Sequence, residues 1–305
     1  MKIAVIGAGA VGATLAQRIL EGEIADVVLV DIAKNMAIGK ALDLLDAAPI
    51  LGHDKKITAT DDYNEIKGSG IVVITAGLTR KPGMTREDLV AKNAAIVRDV
   101  SARIKAHAPD AIVIVITNPL DAMTYLAYKT TGFKKSRVMG MAGVLDSSRF
   151  IHLLSEELKV PRSSVKTFVL GSHGDTMVAA LSQTTVNGKP VRDILPKDRL
   201  ERIVKRTCDR GAEIVSLFGT GSAYYSPSAA AYRMITAIMN DTKEVMSVSA
   251  YLEGQYGFKD IYIGVPCRIG KNGIEEVVEI PLSEDEKSSL SRSAQAIKSS
   301  LQMIK

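Results

Sequence analysis

The chain has 305 residues, of which 46% are apolar and 24% are charged, and its net charge is +5. This length suits one large α/β domain or two smaller ones, and the composition is ordinary for a globular protein. The longest apolar run, Ala111 to Thr117, has only the length of a strand, so no membrane span is expected. The positive charge comes without a long basic run or interleaved aromatic residues, which favours small anionic ligands over nucleic acid.

The first residues enter a strand directly and lack the regions of a signal peptide, so we expect a cytoplasmic protein. Two cysteines, Cys208 and Cys267, do not make a disulfide framework, and both are expected to be reduced and packed. We expect no metal site.

Strand and helix patterns alternate through the first half of the chain, which is typical of a parallel sheet with crossover helices. Buried strands are predicted there at Lys2–Ile6, Val27–Val30, Ile71–Thr75, Ala111–Thr117 and Arg137–Gly140. After Pro161 the pattern changes, and the predicted strands are Val165–Leu170, Met177–Thr185, Val248–Glu253, Ile261–Val265 and Cys267–Ile269. The predicted fold class is therefore α/β. We expect a Rossmann doubly wound parallel sheet over residues 1–143 and an α+β substrate-binding and catalytic domain over residues 144–305.

A glycine-rich turn follows the first strand and opens the first helix, with the sequence Gly7-Ala8-Gly9-Ala10-Val11-Gly12. The first glycine allows the tight bend, the second lets the backbone approach a pyrophosphate, and the third lets helix and strand pack closely. Asp31 ends the second strand, where a carboxylate can accept hydrogen bonds from an adenosine ribose and repel a 2′-phosphate. The sequence therefore predicts a dinucleotide site that takes NAD rather than NADP.

Two further strands end in polar turns, Thr75-Ala76-Gly77 and Thr117-Asn118-Pro119. Ligands of a doubly wound sheet bind at the carboxyl ends of its strands, so both turns are expected beside the glycine turn. The segment after the first of them carries Arg80 and Arg86, and a capping box of Thr85 and Asp88 predicts that a helix starts there. Arginines on such a segment can grip carboxylates through paired hydrogen bonds.

Among the four histidines, His173 is the candidate acid–base group, because it lies between glycines directly after the predicted strand Val165–Leu170. A histidine that passes a proton needs its second ring nitrogen fixed, often by a carboxylate, and Asp146 is the candidate for that partner. Asp146 and Arg149 are three residues apart at the start of a predicted helix, so they project from one face. One of them can hold the histidine while the other binds a substrate carboxylate.

Together these motifs closely resemble those of the lactate/malate dehydrogenase family. The resemblance spans nearly the whole chain and includes the run Ser222-Ala223-Tyr224-Tyr225-Ser226. It implies hydride transfer between NAD and a small 2-hydroxy acid, in a homo-oligomer of two or four subunits with the tetramer favoured. The cofactor contacts that it implies are Gly7, Ala8, Gly9, Ala10, Val11, Gly12, Asp31, Thr75, Ala76, Gly77, Asn93, Ile116, Thr117 and Asn118.

The resemblance also implies roles for the polar residues of the site. His173 exchanges the hydroxyl proton while Asp146 orients it, and Arg149 binds the C1 carboxylate of the substrate. Arg86 and Asn118 polarise the reacting oxygen, and the segment Leu78–Leu89 closes over the substrate.

Arg80 is the residue that favours a dicarboxylate substrate. By the resemblance, lactate-specific members carry an uncharged polar residue here, commonly glutamine, whereas malate-specific members carry arginine. Oxaloacetate has a second carboxylate that needs a cation in a closed site, whereas pyruvate would leave Arg80 buried and unpaired. The small side chain of Ala223 leaves space for a bulkier distal group. Malate and oxaloacetate are therefore the expected substrates.

The sequence alone is compatible with other functions. The nearest alternative is an L-lactate dehydrogenase or a broader 2-hydroxy acid dehydrogenase. A non-catalytic NAD-binding sensor would need no set of His173, Asp146 and three arginines. A metal-dependent glycosidase on a related fold would need a metal cluster, for which the two cysteines are poorly placed. The apolar helix faces near Ile38–Leu45 and Ile151–Leu158 could form subunit interfaces or be buried within one subunit.

Overall fold

The computed structural model describes residues 1–78 and 85–304, with the backbone alone for Arg86. The helices are α1 (Ala10–Glu21), α2 (Lys34–Leu51), α3 (Arg86–His107), α4 (Leu120–Thr131), α5 (Gly143–Leu158), α6 (Lys197–Phe218), α7 (Tyr225–Met239) and α8 (Glu284–Gln302). The strands of the first half are β1 (Lys2–Ile6), β2 (Asp26–Val30), β3 (Ile57–Thr60), β4 (Ser69–Ile74), β5 (Ile112–Val115) and β6 (Val138–Gly140). Those of the second half are β7 (Val165–Lys166), β8 (Val169–Leu170), β9 (Val178–Ala179), β10 (Thr185–Val186), β11 (Lys189–Pro190), β12 (Glu244–Glu253), β13 (Lys259–Gly270) and β14 (Gly273–Val277).

The main sheet has nine strands in the order β14-β13-β12-β6-β5-β4-β1-β2-β3. From β3 to β6 every neighbouring pair is parallel. The strand order reverses between β1 and β4, which both leave the sheet at the same edge, and a doubly wound sheet binds its ligand at such a point. The predicted Rossmann architecture is confirmed.

The three long strands of the second half extend this sheet in antiparallel fashion, and β12 joins β6 where Ser249 pairs with Gly140. The two halves of the chain therefore share one sheet. The boundary predicted between residues 143 and 144 falls in the first turn of α5, and as a division into domains it stays a prediction.

The central strands are buried on both faces, as the continuous apolar runs of the sequence predict. In β1, Ile3 and Val5 pack into one core with α1 and α7, whereas Ala4 and Ile6 pack into a second core with α3 and α4. The alternation follows from the two-residue period of a strand. Among the described helices, none combines the length and the apolar character that a bilayer span requires.

Several strand boundaries differ from the prediction. Ile261–Val265 and Cys267–Ile269 form the single strand β13, in which Pro266 pairs with Ser247 of β12 and its carbonyl accepts the Val278 N–H. Val165–Leu170 divides into β7 and β8, which pair with β10 and β9 respectively. The unpredicted strand β3 has only four residues and is partly exposed, so its apolar pattern is weak.

Candidate active site

The glycine turn after β1 has the geometry that its sequence predicts. Gly7 has a φ of +106°, and a Cβ there would lie 2.6 Å from Thr75 Oγ1. A Cβ on Gly12 would lie 1.9 Å from the Gly7 carbonyl oxygen, so only glycine lets α1 pack this close to the turn. A Cβ on Gly9 would meet nothing within 4 Å, which leaves the space in front of that residue open. Ala10 then begins α1 and Val11 follows it.

Neighbouring elements hold the turn by its backbone. Thr75 Oγ1 donates to the Gly7 carbonyl at 2.9 Å, and Asp31 Oδ2 accepts the Ala8 N–H at 2.6 Å. The second oxygen of Asp31 accepts the Ala33 N–H at 2.8 Å. The carboxylate at the end of β2 is therefore fixed in orientation, and it lies directly beside the turn.

A cavity of about 700 Å³ opens beside the turn and is lined by Gly7, Gly9, Asp31, Tyr63 and Thr75 among others. Burial raises the pKa of Tyr63 to about 12, and the Arg103 guanidinium lies 5.1 Å from the centre of its ring. With a fixed carboxylate and an open glycine at its wall, the cavity suits the adenosine and pyrophosphate parts of a dinucleotide.

The turns that follow β4 and β5 pack against each other. Thr117 Oγ1 donates to the Ala76 carbonyl at 2.7 Å, and a Cβ on Gly77 would lie 2.5 Å from Thr117 Cγ2. Asn93, which is 1% exposed, accepts the Leu78 N–H at 2.7 Å and donates to the Asn118 carbonyl at 2.8 Å. Its amide thus binds the backbone of both turns, and a direct contact between Asn93 and the cofactor stays a prediction.

His173 and Asp146 form a buried pair. The distance between His173 Nδ1 and Asp146 Oδ2 is 2.8 Å, and the side chains are 15% and 2% exposed. Burial acts to lower the pKa of His173, but the charge and the hydrogen bond of Asp146 outweigh it, so the pKa is raised above its ordinary value. This geometry fixes one ring nitrogen and stabilises the protonated ring.

Arg149 lies on the same helix face, with Nη1 3.6 Å from Asp146 Oδ1. Its side chain is 11% exposed, and its buried Nε has no hydrogen-bond partner among the described residues. Burial and the charge of Arg210 lower its pKa, although a guanidinium keeps its proton in proteins. A buried cation with free donors can bind a carboxylate through two parallel hydrogen bonds.

Sequence reasoning missed the residues that hold the His173 segment. Asp121, 3% exposed in the first turn of α4, accepts the His173 backbone N–H at 3.0 Å and the Ser249 hydroxyl at 2.6 Å. Ser293 of α8 accepts the neighbouring Ser172 N–H at 2.6 Å. A carboxylate on the buried face of an apolar helix is the sequence signal that could have pointed to Asp121.

A second cavity, of about 420 Å³, brings the predicted cofactor and substrate residues together. It is lined by Val11, Thr75, Gly77, Ile116, Thr117, Asn118, Arg149, His173 and Ala223 among others. His173, Arg149 and the turns at the sheet edge therefore line one space.

Two predicted residues lie outside what the structure describes. Arg80 belongs to residues 79–84, and the side chain of Arg86 is not described although its backbone begins α3. The capping box that starts this helix is confirmed, since Thr85 and Asp88 each accept the backbone N–H of the other. Within residues 1–78 and 85–304, no three His, Cys, Asp or Glu side chains form a cluster that could hold a metal ion.

Comparison with known proteins assigns both halves of the chain. Residues 1–140 match the family model for the NAD-binding domain of lactate/malate dehydrogenases. Residues 143–305 match the model for the alpha/beta C-terminal domain of the same proteins. The fold and the site thus define an oxidoreductase that uses NAD. The chain belongs to the lactate/malate dehydrogenase family.

Similar proteins carry both family names. The chain is 49% identical over 303 residues to a malate dehydrogenase of Methanosarcina barkeri, covering 99% of each sequence. The crystal structure of Cryptosporidium parvum malate dehydrogenase matches with a TM-score of 0.96 and 42% identity, over 99% of this chain and 98% of that one. The lactate dehydrogenase of the same organism, in complex with lactic acid and nicotinamide adenine dinucleotide, matches with a TM-score of 0.96 and 39% identity, over 99% of this chain and 97% of that one. The fold alone therefore does not choose between the two substrates.

Proposed function

We propose that this protein catalyses reversible hydride transfer between (S)-malate and NAD⁺, giving oxaloacetate and NADH. The observation that carries the proposal is the His173–Asp146 pair, held at 2.8 Å, with His173 and Arg149 lining the cavity that also reaches the turns at the sheet edge. A proton-transfer group and a carboxylate-binding cation are the two features that 2-hydroxy acid chemistry requires of a protein.

The first half of the chain fits the cofactor. The backbone at Gly7, Gly9 and Gly12 leaves the space that a pyrophosphate needs, and the fixed carboxylate of Asp31 suits a ribose with free hydroxyls. Bound NADH would supply the hydride that reduces the substrate carbonyl. We assign the contacts to the residues from Gly7 to Gly12 and to Asp31, Thr75, Ala76, Gly77, Asn93, Ile116, Thr117 and Asn118.

The second half would hold the substrate and move its proton. Arg149 binds the C1 carboxylate as a two-pronged donor, which orients the reacting carbon toward His173. His173 donates the proton to the carbonyl oxygen during reduction, and Asp146 stabilises the charged ring before that transfer. Arg86 and Asn118 stabilise the negative charge that develops on this oxygen.

Two observations favour malate over lactate as the substrate. The chain is 49% identical over nearly its full length to a protein named malate dehydrogenase, and a positive charge at Arg80 suits a second carboxylate. The division of labour between residues 1–143 and 144–305 belongs to the same proposal, with the cofactor bound by the first part and most substrate contacts made by the second.

The proposal is tested by replacing the acid–base residue. The wild-type protein should oxidise NADH when oxaloacetate is added. The variant His173→Asn should still bind NADH, because the glycine turn and Asp31 are unchanged, while its kcat falls at least ~100-fold. His152→Asn, which changes a half-exposed histidine on the outer side of α5, is the matched control. A nearly normal turnover of His173→Asn would remove the residue as the acid–base group.

We also propose a homo-oligomer, with a tetramer favoured over a dimer, that works in the cytoplasm as part of the tricarboxylic acid cycle. Helix α2 supports the oligomer, because its apolar residues Leu42, Ile50 and Leu51 are 57%, 86% and 53% exposed. Leu153 and Leu154 of α5, by contrast, are buried within the subunit. Light scattering coupled to gel filtration measures the subunit number, and a monomer at micromolar concentration would contradict this proposal.

A further inference from the structure

We propose that Lys40 is a positioning residue of the dinucleotide site, which orients the glycine turn toward the pyrophosphate of the cofactor. Lys40 lies in α2, outside the glycine motif, and its Nζ donates a hydrogen bond of 2.6 Å to the carbonyl oxygen of Ala8. The contact spans 32 residues of sequence and is partly buried.

One planar peptide unit links the Lys40 contact to the Gly9 N–H. The Ala8 carbonyl and the Gly9 N–H belong to the same trans peptide, so they point in opposite directions. An ammonium group that holds the carbonyl therefore turns the Gly9 N–H away from α2. Gly9 faces open space on the side of the dinucleotide cavity, which it lines. Among the described residues, the Gly9 N–H has no hydrogen-bond acceptor, which leaves it free for an anion.

The neighbouring peptide unit is fixed independently. Its carbonyl, that of Gly7, accepts a hydrogen bond from Thr75 Oγ1, and its N–H, that of Ala8, donates to Asp31 Oδ2. Thr75, Asp31 and Lys40 thus bind three of the four polar groups in these two peptide units. The fourth group, the Gly9 N–H, has no partner within the described chain. Lys40 supplies the only one of these contacts that reaches the Ala8–Gly9 unit among the described residues.

Charge gives Lys40 a second effect at this place. Asp31 sets a fixed carboxylate against the turn that we assign to the pyrophosphate, and two anions at short range repel each other. The Lys40 ammonium, bonded to the same residue Ala8, places a compensating positive charge beside them. The site can therefore keep a carboxylate for the ribose without losing affinity for the pyrophosphate.

The test measures binding of three ligands to Lys40→Met, by quenching or competition with NADH fluorescence. NADH and ADP-ribose contain the pyrophosphate, whereas adenosine contains only the part that lies near Asp31. Both pyrophosphate ligands should bind about 10-fold more weakly or worse, as expected for loss of a charge-assisted hydrogen bond. Adenosine should bind as it does to the wild-type protein, and Lys40→Arg should restore most of the lost affinity.

Lys2→Met is the matched control, because Lys2 also donates to a backbone carbonyl at 2.6 Å, that of Glu65, but at the opposite end of β1. It should leave all three affinities unchanged. Unchanged NADH binding by Lys40→Met would overturn the inference, and so would an equal loss for adenosine, which would mean a general structural defect. Since the inference rests on the proposed cofactor site, a wild-type protein that binds no NADH would contradict the proposed function instead.

Discussion

The Nδ1 atom of His173 lies 2.8 Å from Oδ2 of Asp146, and the Asp146 carboxylate is 2% exposed. Water cannot readily reach this carboxylate, so its interaction with the ring is screened little. The hydrogen bond occupies Nδ1, so in the proposed mechanism Nε2 is the nitrogen that exchanges a proton with substrate. The backbone of His173 is held separately by Asp121, so the ring and the main chain have different carboxylate partners.

We predict that Asp146→Asn changes the pH dependence of oxaloacetate reduction. In the proposed mechanism, reduction needs a protonated His173, and Asp146 raises the pKa of that ring. Without the negative charge of Asp146, the pKa of His173 falls. The rate decreases as the pH rises in both proteins, and in the variant this decrease should begin at a lower pH. We expect kcat to fall about 100-fold as well. The measurement is a pH profile of kcat/KM, and a profile that keeps its midpoint would exclude this role for Asp146.

The same pair links pH to stability. Because the pKa of His173 is raised in the folded state, the folded protein binds its proton more tightly than the unfolded chain. The stabilising contribution is therefore fully present below the ordinary pKa of histidine and is lost as the pH rises through the raised value. Urea unfolding of wild-type protein and Asp146→Asn across this range should show a difference that shrinks toward high pH. A constant difference would contradict the coupling.

Arg80→Gln is predicted to change substrate preference. Removing the charge should lower kcat/KM for oxaloacetate by about 10- to 150-fold, which is the effect of one charge-assisted hydrogen bond of ~1.5–3 kcal/mol. The relative rate with pyruvate should rise, because a neutral site no longer leaves a cation unpaired. Paired steady-state kinetics with both keto acids are the measurement, and Lys129→Gln, which removes a charge from α4, is a suitable control. Unchanged specificity would rule out this role for Arg80.

Asp31 is predicted to select the cofactor. Both of its oxygens are held by backbone N–H groups, so the carboxylate cannot turn away from a 2′-phosphate. We expect kcat/KM for NADPH to lie at least ~100-fold below that for NADH, equivalent to about 2.7 kcal/mol of repulsion and lost ribose contacts. Initial rates with each cofactor at a fixed oxaloacetate concentration measure the ratio. Equal efficiencies would contradict the assignment.

Asp121 should be tested through stability. In Asp121→Ala the His173 N–H and the Ser249 hydroxyl lose their acceptor, and each buried unpaired group costs about 1–3 kcal/mol. Asp121→Asn should lose much less, because an amide can accept from the N–H and donate to the hydroxyl. Burial raises the pKa of Asp121, so the folded protein binds the proton of this carboxyl more tightly than the unfolded chain. The free energy of unfolding of the wild-type protein should therefore fall as the pH rises above the ordinary pKa of aspartate, and Asp121→Asn should lack this contribution. Urea unfolding measures both effects, and equal stabilities of the two variants would refute the assigned contacts.

Local patterns predicted much of this fold. The glycine turn, the strand β1 and the capping box at Thr85 depend on residues close in sequence, and the structure contains all of them. The parallel sheet followed from the alternation of strand and helix patterns. The ends of strands were predicted poorly where distant pairing partners determine them. The predicted strand Val165–Leu170, for example, divides into β7 and β8, which belong to different small sheets.

The supporting contacts of the site could not be predicted in this way. Lys40 and Asp121 bind backbone groups 32 and 52 residues away, and a backbone acceptor or donor leaves no mark on the sequence. Asn93 was predicted at the cofactor, yet its amide bonds only to the backbone of Leu78 and Asn118 among the described residues. Such contacts depend on how distant elements pack, which the sequence pattern does not encode locally.

The most direct test of the proposed function compares oxaloacetate with pyruvate at saturating NADH. We predict that the initial rates give a kcat/KM for oxaloacetate at least ~100-fold above that for pyruvate, because only oxaloacetate offers a second carboxylate to Arg80. A kcat/KM for pyruvate equal to or above that for oxaloacetate would contradict the assignment to malate and favour the lactate alternative.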